Sequence, residues 1–203
     1  MNSKRSRPDF DYRGRAAAVE AARLSVRDAF EAIADRRDPA DPGRAPWREA
    51  VQRFNTAVER AYPPGFWEDV ERLRSDDWSG LESAIGFLEA DPFFFRSGYV
   101  KARLLKLVKR APLTAAQARR LRQVVLAAIE GRDRREFRWF CRLAVRLDEP
   151  ELRRQIEAWT LSDDPGLRRR AGWARDALIR ATGGKRGWAP GSGSNASDAR
   201  NGC

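Results

Sequence analysis

Apolar residues recur every three or four positions along most of this chain, between clusters of proline and glycine. That spacing places apolar side chains on one face of an α-helix, whereas a half-buried strand requires strict alternation. No alternating stretch of useful length occurs in the sequence. The pattern therefore predicts an all-α fold in which short loops join amphipathic helices, and little or no sheet.

The prolines and glycines divide the chain into segments of helical length. Thr114 and Gln117 have the spacing of a capping box, in which side chains satisfy the free amides of the first turn. Pro92 is expected to open a helix that has Phe93, Phe94 and Phe95 in the core at its start. Asp133 and Glu136, and later Asp164 before Pro165, are expected to cap two more helices. The predicted helices cover residues 16–37, 47–58, 66–73, 81–88, 92–110, 114–130, 133–147, 150–159 and 165–181.

Composition and charge divide the chain into four parts. We expect a basic flexible tail over residues 1–15, an acidic helical part over 16–91, a basic helical part over 92–182, and a disordered tail rich in Gly, Ser and Asn over 183–203. The net charge of +11 is concentrated: residues 96–146 carry +12, and residues 16–95 carry −6. Such a block indicates an anionic partner, whether nucleic acid, an acidic protein face or a membrane surface. An arginine-rich composition on solvated helix faces is the alternative.

The sequence also restricts the chemistry of the chain. It contains 0 histidines, which excludes Ser-His-Asp and Cys-His catalysis and histidine-based zinc sites. Cys141 lies in an apolar helical stripe and Cys203 in the tail, so a disulfide is not expected and a reducing, cytoplasmic location is favoured. No apolar run approaches the roughly 18 residues that a membrane span needs. We expect no cofactor, no metal, no membrane span and no small-molecule substrate.

A weak internal repeat relates two of the predicted helices. A shift of 30 residues aligns Asp133 with Asp163, Phe137 with Leu167, Arg138 with Arg168, Cys141 with Ala171 and Ala144 with Ala174. The stretch LSDDPGLRRRAGWARDAL resembles the second helix of a HEAT-type repeat. The resemblance covers about residues 92–182. It implies antiparallel helix pairs stacked as a short HEAT-like solenoid, with an irregular helical bundle as the alternative, and a surface that binds protein or nucleic acid.

Helical projection defines one candidate binding surface. On three helices an aromatic residue lies among basic residues, away from the main apolar stripe. Guanidinium groups there would contact phosphates, and aromatic rings would stack on bases of single-stranded nucleic acid. Alternatively, Trp139 and Trp173 belong to the core between repeats, with arginine stems packed over them. The residues predicted to bind the anionic partner are Tyr99, Arg103, Lys106, Arg110, Arg135, Arg138, Trp139, Arg142 and Arg146.

Three functions follow from these observations, in order of preference. The first is a non-enzymatic helical-repeat module that binds an anionic partner, with nucleic acid favoured over an acidic protein. The second is a protein adaptor or accessory subunit whose acidic first half docks a partner or folds against the basic middle of the chain. The third is an enzyme of unknown class. The acidic pairs 76–77, 148–149 and 163–164 are interpreted as helix caps, not as catalytic carboxylates.

Overall fold

The computed structural model describes residues 10–183, which form nine α-helices, one short 3-10 helix and no strand. The all-α prediction is therefore confirmed for that stretch. None of its helices is both long and apolar enough to cross a membrane. The predicted tails lie largely outside the described residues. The helices are α1 (Tyr12–Glu31), α2 (Arg44–Arg60), α3 (Phe66–Arg74), the 3-10 helix (Trp78–Gly80), α4 (Leu81–Ala90), α5 (Ser97–Val108), α6 (Ala115–Glu130), α7 (Phe137–Arg146), α8 (Pro150–Thr160) and α9 (Pro165–Ala181).

Local capping explains where several helices begin. The predicted box is present at α6, where the Thr114 amide donates to Gln117 Oε1 over 3.0 Å and the Gln117 amide donates to Thr114 Oγ1 over 3.3 Å. Asp164 caps α9 by accepting a hydrogen bond from the Gly166 amide. Asp11 caps α1 in the same way, and α1 consequently begins four residues before its predicted start.

Two predicted helix starts are wrong. Arg96 adopts a left-handed conformation with φ 66°, and the hydroxyl of Ser97 accepts a hydrogen bond from the Phe94 amide, so the chain turns over 94–97 and α5 begins at Ser97, not at Pro92. Asp133 does not cap α7, which begins after Glu136, because its carboxylate pairs with arginines of α9 instead. At α5 the turn itself delays the start of the helix, whereas at α7 a contact with a distant helix replaces the expected local cap.

From α3 to α9 the helices pack in two layers. One layer consists of α4, α6 and α8, each in contact with the next, and the other consists of α3, α5, α7 and α9 in the same manner. Successive helices of the chain cross between the layers, so a single apolar core runs between them. This order places α7 between α5 and α9, with its outer side free of other helices.

The first two helices form a hairpin that packs mainly on itself. Ala16 and Val19 of α1 enter the main core beside α4, and Phe54 of α2 packs at its edge, 5.5 Å from the ring of Phe95. Ile33 and Ala50 are buried near the far end of the hairpin, in a cluster separate from that core. The hairpin therefore adds an arm to the layered part of the molecule without covering α7.

Ion pairs, most of them with a buried cation, join successive helix pairs. Asp91, directly after α4, lies 2.5 Å from the ammonium of Lys101 and accepts two hydrogen bonds from Arg134, at 2.8 and 3.0 Å. After α6, Asp133 binds Arg169 and Arg170 of α9, and Arg170 also donates to the carbonyl of Ile129. These contacts fix α5, α7 and α9 relative to one another. Asp91 binds one cation of α5 and one of the loop before α7, and Asp133 binds two cations of α9.

We predict that the Asp91→Asn substitution lowers the free energy of unfolding by at least about 2 kcal/mol, because it removes the carboxylate that directly contacts two buried cations. Lys101 is 1% exposed, and its pKa is already lowered, chiefly by burial. Asn tolerates the left-handed conformation at this position, so the backbone itself is not penalised. Chemical denaturation monitored by circular dichroism measures the change.

Glu71→Gln is the matched control for this substitution. Glu71 pairs with Arg103 and Arg74 at the surface, where an ion pair contributes less than about 1 kcal/mol. Equal losses of stability in the two variants would contradict the assignment of Asp91 as the central counter-ion.

Candidate functional site

The outer side of α7 presents an arginine-rich surface. Phe137, Phe140, Cys141 and Ala144 are buried as the helical projection predicted, and Leu147 is buried directly after the helix. The opposite side carries exposed arginines and the half-buried Trp139. Because α7 itself contains no acidic residue, its outer side is uniformly positive. Four exposed arginines lie on this side, one just before α7 and three on the helix: Arg135, Arg138, Arg142 and Arg146.

Three cations surround the ring of Trp139. The ammonium of Lys106, on α5, lies 4.3 Å from the ring centroid, and the guanidinium carbons of Arg142 and Arg138 lie at 4.3 Å and 5.2 Å. Each such contact contributes roughly 0.5–1 kcal/mol at an exposed site. The ring also packs against the main core. The ring of Trp139 therefore holds these three cations in place. We call the ring and the three cations together the cation platform.

The predicted basic residues differ in their ion pairing. Arg103 pairs with Glu71 at 2.7 Å and Arg110 pairs with Asp76 at 3.0 Å, so acidic groups at the end of α3 neutralise both. By contrast, no carboxylate within residues 10–183 forms an ion pair with Lys106 or with the four exposed arginines of the α7 side. Of the basic residues predicted to bind the partner, those without an ion pair among the described residues thus lie on α7, in the loop before it and at the facing position of α5. Tyr99 is 70% exposed, two turns before Lys106.

An open groove separates α7 from α9 next to the platform. It has a volume of about 530 Å³, and Arg135, Arg138 and Arg142 line it from the α7 side. Trp173, Asp176 and Arg180 line it from α9, with Phe137 and Cys141 also contributing. The sequence pattern showed that Trp173 and Arg180 lie on one face of α9, but it gave no sign that this face borders the arginines of α7. We call this feature the α7–α9 groove.

Trp139 and Trp173, the two tryptophans that the sequence indicates as candidates for the core between repeats, have different environments. Trp139 is half-buried beneath its cations, whereas Trp173 is 48% exposed. The ring of Trp173 lies 5.8 Å from that of Phe137, and one cation, Arg169, lies 5.6 Å from its centroid. Neither residue is enclosed between helices. Trp139 fits the alternative of a tryptophan core between repeats only in part, and Trp173 does not fit it.

The remaining sequence candidates are explained by local contacts. Asp77 accepts a hydrogen bond from the Ser79 amide, as expected of a cap, but Asp148 and Glu149 pair with Arg153 and Arg122 and cap no helix through their side chains. Phe94 is buried as predicted, whereas Phe93 and Phe95 are 60% and 42% exposed because the helix begins after them. Among residues 10–183, no group of three or more Asp, Glu or Cys side chains is placed to hold a metal ion.

Comparison with known proteins identified no relative of this chain. The chain matches no family model, no curated protein sequence and no solved structure.

We predict that Cys141 resists alkylation, although it borders the groove. Burial raises the pKa of its thiol to about 11, and only the thiolate reacts. At pH 8 the reactive fraction is therefore about 100-fold smaller than for an unperturbed cysteine, and it grows with pH. The measurement is the rate of iodoacetamide labelling in a Cys203→Ser background, followed by mass spectrometry.

Denatured protein of the same variant is the control, since unfolding restores the ordinary thiol pKa. Labelling of the folded protein at the denatured rate at pH 8 would show that Cys141 is open to solvent.

Proposed function

We propose that this protein is a non-enzymatic helical module that binds nucleic acid through the basic face of residues 96–146. One observation carries the proposal: five cations that have no acidic partner within residues 10–183 lie together on α7, its preceding loop and the facing residue of α5. Lys106, Arg138 and Arg142 are held by a single indole ring, and Arg135 and Arg146 extend the surface along α7.

Electrostatics favours a polyanion as the ligand. Like charges this close repel one another, and the nearby carboxylates of Glu71, Asp76 and Asp176 pair with Arg103, Arg110 and Arg175 instead. A chain of phosphates relieves that repulsion and releases counter-ions to solvent. The arginines at 138, 142 and 146 follow one another at a spacing of about one helical turn, so a linear polyanion contacts them in succession.

A HEAT-like stacking of helix pairs belongs to this proposal. The contacts of α5 with α7 and of α7 with α9, alongside those of α4 with α6 and of α6 with α8, support it. In such a stack equivalent helices lie side by side, and their outer faces form one extended surface. The proposal assigns the protein to the cytoplasm, with no cofactor and no small-molecule substrate.

A protein adaptor is the second candidate, supported by exposed aromatic side chains. Phe93, Phe95 and Tyr99 are all more than two-fifths exposed, at or just before the start of α5. Aromatic residues are enriched in protein interfaces, and an acidic protein would complement the adjacent basic face.

We predict that the triple variant Arg135→Gln, Arg142→Gln and Arg146→Gln weakens the binding of single-stranded oligonucleotides and flattens its salt dependence. Loss of three phosphate contacts reduces the slope of log K against log salt by about 2. Fluorescence anisotropy at several salt concentrations from about 50 mM upward measures both quantities.

The matched control replaces Arg37, Arg48 and Arg60, which are exposed on or beside the hairpin, with Gln. It removes the same charge but leaves the α7 surface intact, so affinity and slope should remain close to those of the unmodified protein. Equal weakening by the two triple variants would indicate a general charge effect. An absence of binding to any oligonucleotide at about 50 mM salt would reject nucleic acid and favour the adaptor.

A further inference from the structure

The two walls of the α7–α9 groove differ in chemistry. The α7 wall consists of Arg135, Arg138 and Arg142. The α9 wall presents Trp173 and, one turn later, Asp176, whose carboxylate lies 3.5 Å from the guanidinium of Arg175. A phosphate is attracted to the first wall. An aromatic ring with polar edges fits the second, where an exposed indole lies next to a hydrogen-bond acceptor.

Trp173 is better placed than Trp139 to stack on a base. The ring of Trp139 carries three cations within 5.2 Å and rests on the core, so its faces are occupied. Trp173 is about half exposed and borders the groove, and of the described residues one cation, Arg169, lies over its ring. Its contact with Phe137 holds the indole in place. An indole fixed in this way loses little conformational freedom when a ligand stacks on it.

We propose that the α7–α9 groove binds a single strand of nucleic acid, with an unpaired base stacked on Trp173 and the flanking phosphates on Arg135, Arg138, Arg142 and Arg180. The inference rests on the proposed function and specifies its ligand. A duplex cannot occupy this site in the same way, because its bases are paired and stacked inside the helix. The groove volume of about 530 Å³ lies within the range of about 300–1,000 Å³ typical of pockets for small organic ligands, so it accommodates a nucleotide.

The strand reaches the groove from the cation platform. Arg138 and Arg142 belong to both features, since they contact the ring of Trp139 and also line the groove. A strand whose phosphates contact these arginines at the cation platform thus continues into the groove, where a base reaches Trp173. Affinity for phosphate and affinity for an unpaired base therefore depend on different residues, the arginines and Trp173.

The test compares Trp173→Leu with the unmodified full-length protein. The probes are fluorescein-labelled oligo-dT, oligo-U, a DNA duplex and an abasic deoxyribose-phosphate oligomer, each about 20 nucleotides long. Trp173→Leu should weaken the binding of oligo-dT and oligo-U by about 10-fold, without changing the binding of the abasic oligomer. Any difference between oligo-dT and oligo-U reports on a contact with the ribose 2′-hydroxyl.

Trp67→Leu is the control variant. Trp67 is 42% exposed on α3 and packs against Phe66, which resembles the contact of Trp173 with Phe137, but it lies away from the groove. It should leave every affinity unchanged. If Trp173→Leu lowers the melting temperature, Trp173→Phe preserves an aromatic plane and should retain most of the affinity for oligo-dT.

The outcomes distinguish the two proposals. Binding of oligo-dT, duplex and abasic oligomer with equal affinity, unaffected by either Trp173 variant, would overturn the single-strand site while the basic face remained a phosphate-binding surface. Absence of binding to all four probes would overturn both proposals, and a preference for the unpaired strand that Trp173→Leu abolishes would support both.

Discussion

The carboxylate of Asp91 is the contact on which the arrangement of the later helices depends. It lies at the end of α4 in a left-handed conformation and holds Lys101 of α5 and Arg134 of the loop before α7. Lys101 is almost fully buried, and a buried cation without a counter-ion would destabilise the fold strongly. The position of α7 beside α5 follows from this pairing, and the contact of Lys106 with Trp139 requires that position.

Ion pairing also distinguishes the cations that join helices from those whose charge remains uncompensated at the surface of α7. Acidic groups before residue 92 are used by Arg103, Arg110 and Arg120, which join the acidic first half of the chain to its basic middle. At the cation platform, Lys106, Arg138 and Arg142 contact the indole ring of Trp139 instead. An indole attracts a cation without cancelling its charge. The surface therefore keeps the positive potential that an anionic ligand needs, while its side chains remain ordered.

Helical projection correctly assigned the buried and outer faces of α7, because that assignment depends on a single helix. Trp139, Arg142 and Arg146 lie on the outer face of α7 because that face follows from the helical period alone. Arg103 and Arg110 satisfy the same pattern, but their partners lie more than 30 residues away along the chain. Helical projection contains no information on contacts at such separations. It therefore could not distinguish the arginines that carboxylates neutralise from the others, and it could not predict the α7–α9 groove.

The sequence by itself determined the helical class, most helix positions and the concentration of positive charge, because helical period, caps and breakers act over a few residues. The box at Thr114 and the cap at Asp164 illustrate such local control. Only the tertiary structure decided where α5 and α7 begin, which arginines remain unpaired and which tryptophan is open to a ligand. Those properties depend on Asp91, Asp133 and other groups brought together by packing, whose contacts are distant in sequence and short in space.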